Sequence, residues 1–193
     1  MTQHNESVAY GIRWHGRGGQ GAVTSSKILA EAGFLSGFRG VTGAPSFGAE
    51  RRGAPVTAST RLSEEPIRVF SQVTDPDVVV VLDDSLLEVG NSMAGTHPGS
   101  VVIVNTTMAP EEIAAPEGVR VVTADVTGAA QAVDLVVGGQ PMVNTAILGS
   151  IAAATGLITL ESVQQAISSA FPSEAAAAKN FEAATIAHDC THG

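Results

Sequence analysis

The chain has 193 residues, of which 44% are hydrophobic and 15% charged, and this composition indicates a folded domain rather than a disordered chain. Its formal net charge of −9 argues against a nucleic-acid partner, since proteins that bind nucleic acids carry a basic surface. No apolar run approaches the roughly 20 residues that cross a bilayer, so no membrane partner is expected. The first residues lack a secretory signal and Cys190 is the single cysteine, and both features predict a cytoplasmic protein without an intrachain disulfide.

The single cysteine also limits the redox chemistry that this chain can hold. An iron–sulfur cluster ordinarily takes four cysteine thiolates, and a structural zinc site takes about four cysteine or histidine ligands at short spacing. The sequence contains neither pattern, so any metal-based redox chemistry has to come from another chain. Most of the arginines lie before residue 70, whereas the second half is acidic or neutral. This asymmetry predicts a local anion site or a partner surface near the N-terminal third.

The first third of the chain predicts one strand and one helix joined by a glycine-rich stretch. Residues 1–9 are expected to be flexible, and residues 10–15 form a strand that runs into the sequence HGRGGQG. Residues 22–32 are then predicted to be helical. Glycine or proline recurs every few residues over 37–56, which predicts a mostly irregular segment that could wrap around a site.

Hydrophobic patterns place further strands in the middle of the chain. Alternation over residues 56–62 predicts a half-buried strand, with residues 66–70 as its partner. Three aliphatic runs follow at intervals of about twenty residues, and such runs are typical of strands buried on both faces of a parallel sheet. They lie at residues 77–84, 100–105 and 119–125.

The last third of the chain predicts helices. Apolar residues recur at helical spacing over 144–155, Pro172 ends the next helix, and Ser173 caps a final one. The chain is therefore expected to form a single α/β domain over residues 10–187, with a Rossmann-like, mostly parallel sheet flanked by helices and a helical C-terminal third. Residues 188–193 are expected to form a tail that frays.

Gly16, Gly18 and Gly21 have the spacing G-x-G-x-x-G, which often marks a strand-to-helix turn around a pyrophosphate. In this interpretation Gly16 permits a tight turn, Gly18 lets a phosphate approach the backbone, and Gly21 lets the helix pack closely. A dinucleotide site also needs an Asp or Glu about twenty residues later to hold the ribose, and residues 36–42 contain none. The loop is therefore open to three interpretations: a dinucleotide site, a purely structural turn, or a contact with another anion or a protein.

The second candidate site is the stretch SFGAERRGAPV, which contains Glu50, Arg51 and Arg52. On an exposed loop Glu50 could simply pair with one arginine, but the two guanidinium groups could also form a fork for a phosphate or carboxylate. Asp83 and Asp84 close a predicted strand, and one of them is expected to cap the next helix. The chain shows no Ser/His/Asp order, no G-x-S-x-G elbow and no Walker A sequence, so no catalytic residue is predicted in it.

Beyond their spacing, the residues themselves resemble a known family. The stretches RWHGRGGQGAVTSSKILAEAG, GAPSFGAERRGAPV and PMVNTAILGSIAAATGLITLESVQQAI, and the pattern R-x-S-x-E-P-I at residues 61–67, are similar to the gamma subunit of pyruvate:ferredoxin and related 2-oxoacid:acceptor oxidoreductases. The similarity extends from residue 12 to about residue 181.

This resemblance implies a subunit without a complete active site, in a complex that oxidatively decarboxylates a 2-oxoacid to its acyl-CoA. In such enzymes thiamine diphosphate with magnesium and the [4Fe–4S] clusters lie in the alpha, beta and delta subunits. Ferredoxin accepts the electrons or, through an additional flavin (FAD) subunit, NAD does. The gamma chain helps to assemble the complex and is implicated in binding coenzyme A (CoA). The choice of 2-oxoacid, whether pyruvate, branched, aromatic or phenylglyoxylate, depends on other chains.

The resemblance also implies a set of cofactor-binding residues, which would contact either CoA or a partner subunit. They are Gly16, Arg17, Gly18, Gly19, Gln20, Gly21, Glu50, Arg51 and Arg52. A helix start and a pair of arginines suit CoA chemically, because CoA carries a pyrophosphate and a 3′-phosphate. Two other functions stay open: a free-standing NAD(P)-binding oxidoreductase domain, and a scaffold in the same complex that binds no ligand.

Overall fold

The computed structural model describes residues 9–45, 52–68, 71–89 and 91–193, and within them the chain forms eight strands and six helices. The strands are β1 (Ala9–Arg17), β2 (Gly40–Pro45), β3 (Pro55–Ser63), β4 (Val78–Val81), β5 (Val101–Asn105), β6 (Arg120–Ala124), β7 (Val136–Val137) and β8 (Gln140–Pro141). The helices are α1 (Ala22–Leu35), α2 (Leu86–Val89), α3 (Val126–Ala132), α4 (Val143–Thr155), α5 (Leu160–Ala170) and α6 (Glu174–Asp189). A short 3₁₀ turn covers Pro110–Glu112. None of the helices in these residues is long and apolar enough to span a bilayer.

Six strands form one sheet in the order β2-β3-β1-β4-β5-β6. Strands β1, β4, β5 and β6 are parallel neighbours, whereas β3 runs antiparallel to both β1 and β2. Strands β7 and β8 form a separate hairpin. The predicted α/β domain with a mostly parallel sheet and a helical C-terminal third is therefore confirmed.

The two faces of the sheet are covered unequally. Side chains such as Trp14 and Val80 point to one face, where they join a large core with residues of α1, α3, α4, α5 and α6. Val79 and Val104 point to the other face, where the core is small and is completed by Leu86 of α2 and by Ile113. Successive strand residues alternate between these two environments because the side chains of a strand alternate between its faces.

The helical layer is tightly packed where α4 crosses α6. A Cβ atom at Gly149 would overlap the carbonyl oxygen of Ala184, so the two helices approach at a position that only glycine fits. Thr145 donates a buried hydrogen bond to Asn180 Oδ1 at 2.5 Å, and Ser150 donates to the carbonyl of Ala187 at 3.3 Å. These contacts join the last helix to the rest of the domain.

Two predictions around the edge of the sheet are wrong. Residues 40–45, predicted to be irregular, form β2, and the predicted partner strand at 66–70 is not one, because residues 66–68 are irregular and 69–70 lie outside the described residues. The partners of β3 are β1 and β2. The glycines of this segment, which made it look irregular in the sequence, have a packing role. Helix α1 crosses β2 so closely that a Cβ atom at Gly43 would lie 2.8 Å from Lys27 Cα.

The C-terminal residues are held rather than frayed, which corrects the expectation for 188–193. Thr123 and His192 exchange two backbone hydrogen bonds of 2.9 Å, and the carbonyl of Gly193 accepts a hydrogen bond from Arg120 at 3.2 Å. The end of the chain therefore covers the outer edge of β6. Residues 1–8, expected to be flexible, lie outside the described residues.

Candidate functional site

A cleft of about 1160 Å³ opens at the carboxyl ends of β1, β4, β5 and β6. Its walls come from six segments of the chain, and they include the glycine loop, Arg52, Asp83 and Asn105. The strand order reverses at this point, because the chain leaves β1 towards β3 and β2 on one side and later adds β4, β5 and β6 on the other. Such a switch point is where open α/β sheets bind their ligands.

The glycine loop has a different geometry from the one that its spacing predicts. Gly16 lies inside β1 rather than in a turn. The N–H of Gly18 donates to the carbonyl of Ala54 at 2.8 Å, and its own carbonyl accepts from the N–H of Gly53 at 3.0 Å. Because both of its backbone polar groups are engaged, Gly18 cannot offer its N–H to a phosphate in this arrangement.

The turn is instead made by Gly19 and Gly21, which have positive φ angles of 99° and 80°. Around Gly19 there is open space, since a Cβ atom there would meet nothing within 4 Å. At Gly21 a Cβ atom would lie 2.8 Å from the side-chain amide nitrogen of Asn144. The open approach for a ligand is thus at Gly19, while Gly21 is needed for packing of α1 against α4.

Two long helices begin at the cleft without a side-chain cap. The N-cap residues are Gly21 for α1 and Met142 for α4, and neither accepts a hydrogen bond from the first turn. The shorter helix α3, in contrast, is capped by Asp125, which accepts from Gly128 N at 2.7 Å. The uncapped N–H groups and the helix dipoles make the glycine-loop side of the cleft favourable for an anion.

Arg17 and Gln20, both predicted to contact a ligand, are engaged with the protein. Arg17 Nε lies 3.2 Å from Asp83 Oδ2, and its terminal nitrogens donate to Gly53 O at 3.2 Å and to Ser85 Oγ at 2.6 Å. Gln20 accepts from the N–H of Arg17 at 2.7 Å and donates to Asp83 Oδ2 at 3.0 Å. These two side chains therefore fix the shape of the loop against the end of β4.

Asp83 is the centre of this network. Burial would raise the pKa of its carboxyl group, but hydrogen bonds from Ser85 and Gln20 and the charge of Arg17 outweigh burial and lower the pKa below its ordinary value. The group is therefore ionised at neutral pH and acts as an acceptor, not as a proton donor. Asp84 accepts a hydrogen bond from Thr106 Oγ1 at 2.8 Å. The expected helix-capping role is limited to the bond from Ser85 N to Asp83, at 3.2 Å.

Arg52 lies at the glycine-loop side of the cleft, where it forms an isolated parallel bridge with Gly18. Arg52 is exposed, and no hydrogen bond or ion pair joins its guanidinium group to another residue of the described part of the chain. The structure thus brings Arg52 next to the predicted glycine loop. Glu50 and Arg51, the other two predicted residues of this stretch, lie outside the described residues.

The sequence analysis missed Asn105 as a residue that shapes the cleft. Its side-chain amide donates to Leu82 O at 3.0 Å, and its side-chain oxygen accepts from Thr127 N at 3.0 Å. It therefore connects the ends of β4 and β5 to the start of α3. The signal that could have found it is its position, since it is the first polar residue after a buried aliphatic run.

A family model described as pyruvate ferredoxin/flavodoxin oxidoreductase matches residues 11–190. The chain belongs to this family. It is 50% identical over 183 residues to the pyruvate/ketoisovalerate oxidoreductases common subunit gamma of Thermococcus kodakarensis, covering 93% of this chain and 96% of that protein. It is 45% identical over 178 residues to pyruvate synthase subunit PorC of Methanothermobacter marburgensis, covering 92% and 95%.

A solved structure agrees with this assignment, and a second one shares the fold. The crystal structure of pyruvate oxidoreductase subunit PORC from Thermotoga maritima superimposes with a TM-score of 0.82 at 31% identity, over 95% of this chain and 97% of that one. The 2-oxoglutarate:ferredoxin oxidoreductase of Magnetococcus marinus, solved with 2-oxoglutarate, coenzyme A and succinyl-CoA bound, shares the fold. Its TM-score is 0.73 at 22% identity, over 94% of this chain and 31% of that one. The resemblance to gamma subunits is confirmed, and the chain is a gamma-type subunit of an oxidoreductase complex.

Proposed function

We propose that this gamma subunit works in a thiamine diphosphate- and iron–sulfur-dependent complex that converts a 2-oxoacid to its acyl-CoA, and that its cleft binds the phosphates of CoA. The proposal assigns the thiamine diphosphate, magnesium and [4Fe–4S] clusters to the alpha, beta and delta subunits. The observation that carries the CoA assignment is the cleft at the switch point, where uncapped starts of α1 and α4 meet Arg52. The Magnetococcus relative that shares this fold was solved with CoA bound.

The charges along the cleft support an orientation for the ligand. The glycine-loop side has the helix starts, the open backbone at Gly19 and the exposed guanidinium group of Arg52, and its one carboxylate, Asp83, is paired with Arg17. The other walls carry Asp84 and Asp125, whose carboxylates repel phosphate. The proposal therefore assigns the pyrophosphate and 3′-phosphate to the Arg52 side and leaves the uncharged part of CoA to extend along the opposite wall.

The sheet topology disfavours the alternative, an NAD(P)-binding domain. In dinucleotide-binding folds, the strand that follows the first helix lies beside the first strand and ends in the acid that holds the ribose. In this chain the strand beside β1 on that side is the antiparallel β3, whose beginning at Pro55 lies opposite Arg17. Strand β2, which follows α1, lies one position further out. The position of the ribose acid is therefore taken by the connection into β3.

The test is Arg52→Ala in the assembled complex. Loss of one hydrogen bond to a charged group costs about 1.5–3 kcal/mol, so the KM for CoA should rise roughly 10- to 150-fold while the KM for the 2-oxoacid stays unchanged. The matched control is Arg39→Ala, which removes an exposed arginine that does not line the cleft. An unchanged KM for CoA, with poorer co-purification of the partner chains, would favour the scaffold function instead.

The isolated chain gives a second test of the division of labour. We expect it to show no 2-oxoacid oxidation, because the proposal assigns the thiamine and cluster sites to other subunits. In calorimetric titrations it should bind CoA in preference to NAD or NADP. Decarboxylation by the purified chain, or tighter binding of a nicotinamide dinucleotide, would contradict the proposal.

A further inference from the structure

Exposed hydrophobic side chains concentrate at the edge of the sheet where the cleft opens. We define the carboxyl-edge patch as Val89, Met108, Val136 and Val137, whose exposed fractions are 70%, 37%, 40% and 63%. Two other large hydrophobic residues of the described part of the chain are comparably exposed, Phe34 and Leu35. They lie at the last residues of α1, which begins at the cleft and runs to the opposite edge.

The two valines of the patch are held outward by a firmly built hairpin. The turn between β7 and β8 consists of Gly138 and Gly139, both with positive φ, as tight hairpin turns require. At its base Leu135 is buried, and its carbonyl accepts from Met142 N at 2.9 Å. Lys179 donates to the carbonyl of Asp134 at 2.9 Å. The valines are thus presented to the outside by a fixed backbone.

Part of the patch borders the cleft. Val137 itself lines the cleft, and Met108 directly follows Thr107, which also lines it. Val89 ends the helix that starts just after Asp84. A protein that covered Met108 and Val137 would therefore also cover part of the rim of the cleft.

The charge around the patch indicates the chemistry of that protein. Residues 69–119 contain no Lys or Arg, and neither do residues 121–178. The connections at this edge instead expose acids such as Asp84, Glu88 and Glu111. A second copy of this chain would meet them with like charge, whereas a surface bearing Lys and Arg would complement them.

We propose that the carboxyl-edge patch is the surface on which a partner subunit of the oxidoreductase docks, and that the partner presents apolar side chains surrounded by Lys and Arg. Stable interfaces have this arrangement of an apolar centre with a polar rim. Docking there encloses the cleft between the two chains. In that respect the inference rests on the proposed function, because a CoA bound in the cleft then faces the chain that holds the reacting centre.

The first experiment substitutes Val89→Lys and Met108→Lys, since neither residue lines the cleft. Co-purification with the partner subunits should fall at least tenfold for both variants. The matched control is Phe34→Lys, an exposed apolar residue at the opposite edge, which should retain wild-type stoichiometry. Thermal unfolding of each isolated chain verifies that it is folded. Full stoichiometry in the two patch variants, or its loss in the control, would overturn the proposal.

The second experiment tests the basic rim of the partner. Glu88→Lys and Glu111→Lys should each slow association with the partner subunits severalfold at low salt, with the difference shrinking as salt is added. Glu31→Lys, on the exposed side of α1, is the control and should not change the rate. Equal rates for all three variants would refute a basic partner surface.

Two measurements separate this inference from the CoA assignment. The isolated chain should be monomeric, and a dimer that Val89→Lys dissociates would assign the patch to a second copy and overturn the proposal. CoA binding by the isolated Val89→Lys chain should match that of the unsubstituted chain. Failure of docking at the patch would leave the Arg52 result intact, and failure of the Arg52 test would leave the docking result intact.

Discussion

The two faces of the sheet differ in how they are covered. One face is packed by five helices, and its core includes Trp14, Val80 and Ile147. The other face has α2, a 3₁₀ turn and loops over a small valine-rich core. The helical face therefore supplies most of the apolar burial, while the loop face can carry polar residues close to the cleft.

Strand β1 shows the consequence most clearly, because alternate residues serve different purposes. Trp14 is fully buried in the helical face, and its ring nitrogen donates to Thr60 Oγ1 at 2.9 Å. Arg13 points to the loop face, where it donates to the carbonyls of Thr74 at 3.3 Å and Ser92 at 3.0 Å. On the loop face a charged side chain therefore holds the loops in place, whereas helices cover the other face.

The largest expected effect is that of Gly149→Ala on the helical face. The added methyl group overlaps the carbonyl of Ala184, and backbone cannot rotate away as a side chain can. We expect a loss of about 4 kcal/mol in the free energy of unfolding, at the upper end for overpacked sites. Urea denaturation of the isolated chain measures it, with Ala153→Gly, on the exposed side of the same helix, as a control that should cost about 1 kcal/mol. A neutral Gly149→Ala would mean that α4 and α6 can separate freely.

The second prediction concerns pH and the loop face. Burial and then the charge of Arg13 lower the pKa of His15 to about 4, and its Nε2 accepts from Arg13 Nε at 3.1 Å. The unfolded chain takes up a proton near the ordinary pKa of 6.5, and the folded chain only near 4. The contribution of His15 to the free energy of unfolding is therefore fully present above pH 6.5. It falls by about 3 kcal/mol as the pH drops from 6.5 to 4.

This pH dependence can be isolated by substitution. His15→Gln should remove the slope of unfolding free energy between pH 6.5 and 4, as measured by urea denaturation at several pH values. Asp83 contributes little to this slope, because its pKa is lowered from 3.8 and its stabilisation is therefore lost mainly as the pH falls from about 3.8 towards the folded-state pKa. A slope that survives in His15→Gln would show that another group is responsible.

The smallest expected effect compares two neighbours on β4. Val79 and Val80 are both fully buried, but Val79 lies in the loop-face core and Val80 in the helical-face core. Val80→Ala should cost about 1 kcal/mol more than Val79→Ala, because helices fixed on a sheet collapse less readily onto a cavity than loops do. The difference between the two unfolding free energies is the readout. An equal cost would show that the loop face is as rigid as the helical one.

Much of this fold could be predicted from local patterns. The aliphatic runs became β4, β5 and β6, and the apolar residues at helical spacing over 144–155 became α4. Strand β2 could not be found that way, because Gly40 and Gly43 lower strand propensity. Their small size is needed only in the folded protein, where Gly43 packs against α1 and Gly40 packs against residues 65–67 after β3.

The site was predicted less completely. The family resemblance implied that the glycine loop and Arg52 contact CoA or a partner subunit, and the structure brings Arg52 beside Gly18. The spacing did not reveal that Gly18 has both backbone groups paired, or that Arg17 is held by Asp83. Asn105 was missed, because a single polar residue at a strand end carries no distinctive pattern.

The sequence by itself determined the α/β class and the family, since aliphatic runs, glycine positions and extended motifs are local properties of the chain. Only the tertiary structure decided which groups face the cleft. Whether Arg17 or Arg52 is available to a ligand depends on a carboxylate 66 residues away from Arg17. The acidic residues Asp84 and Asp125 likewise lie on connections that follow different strands, and only the pairing of those strands brings them to one cleft.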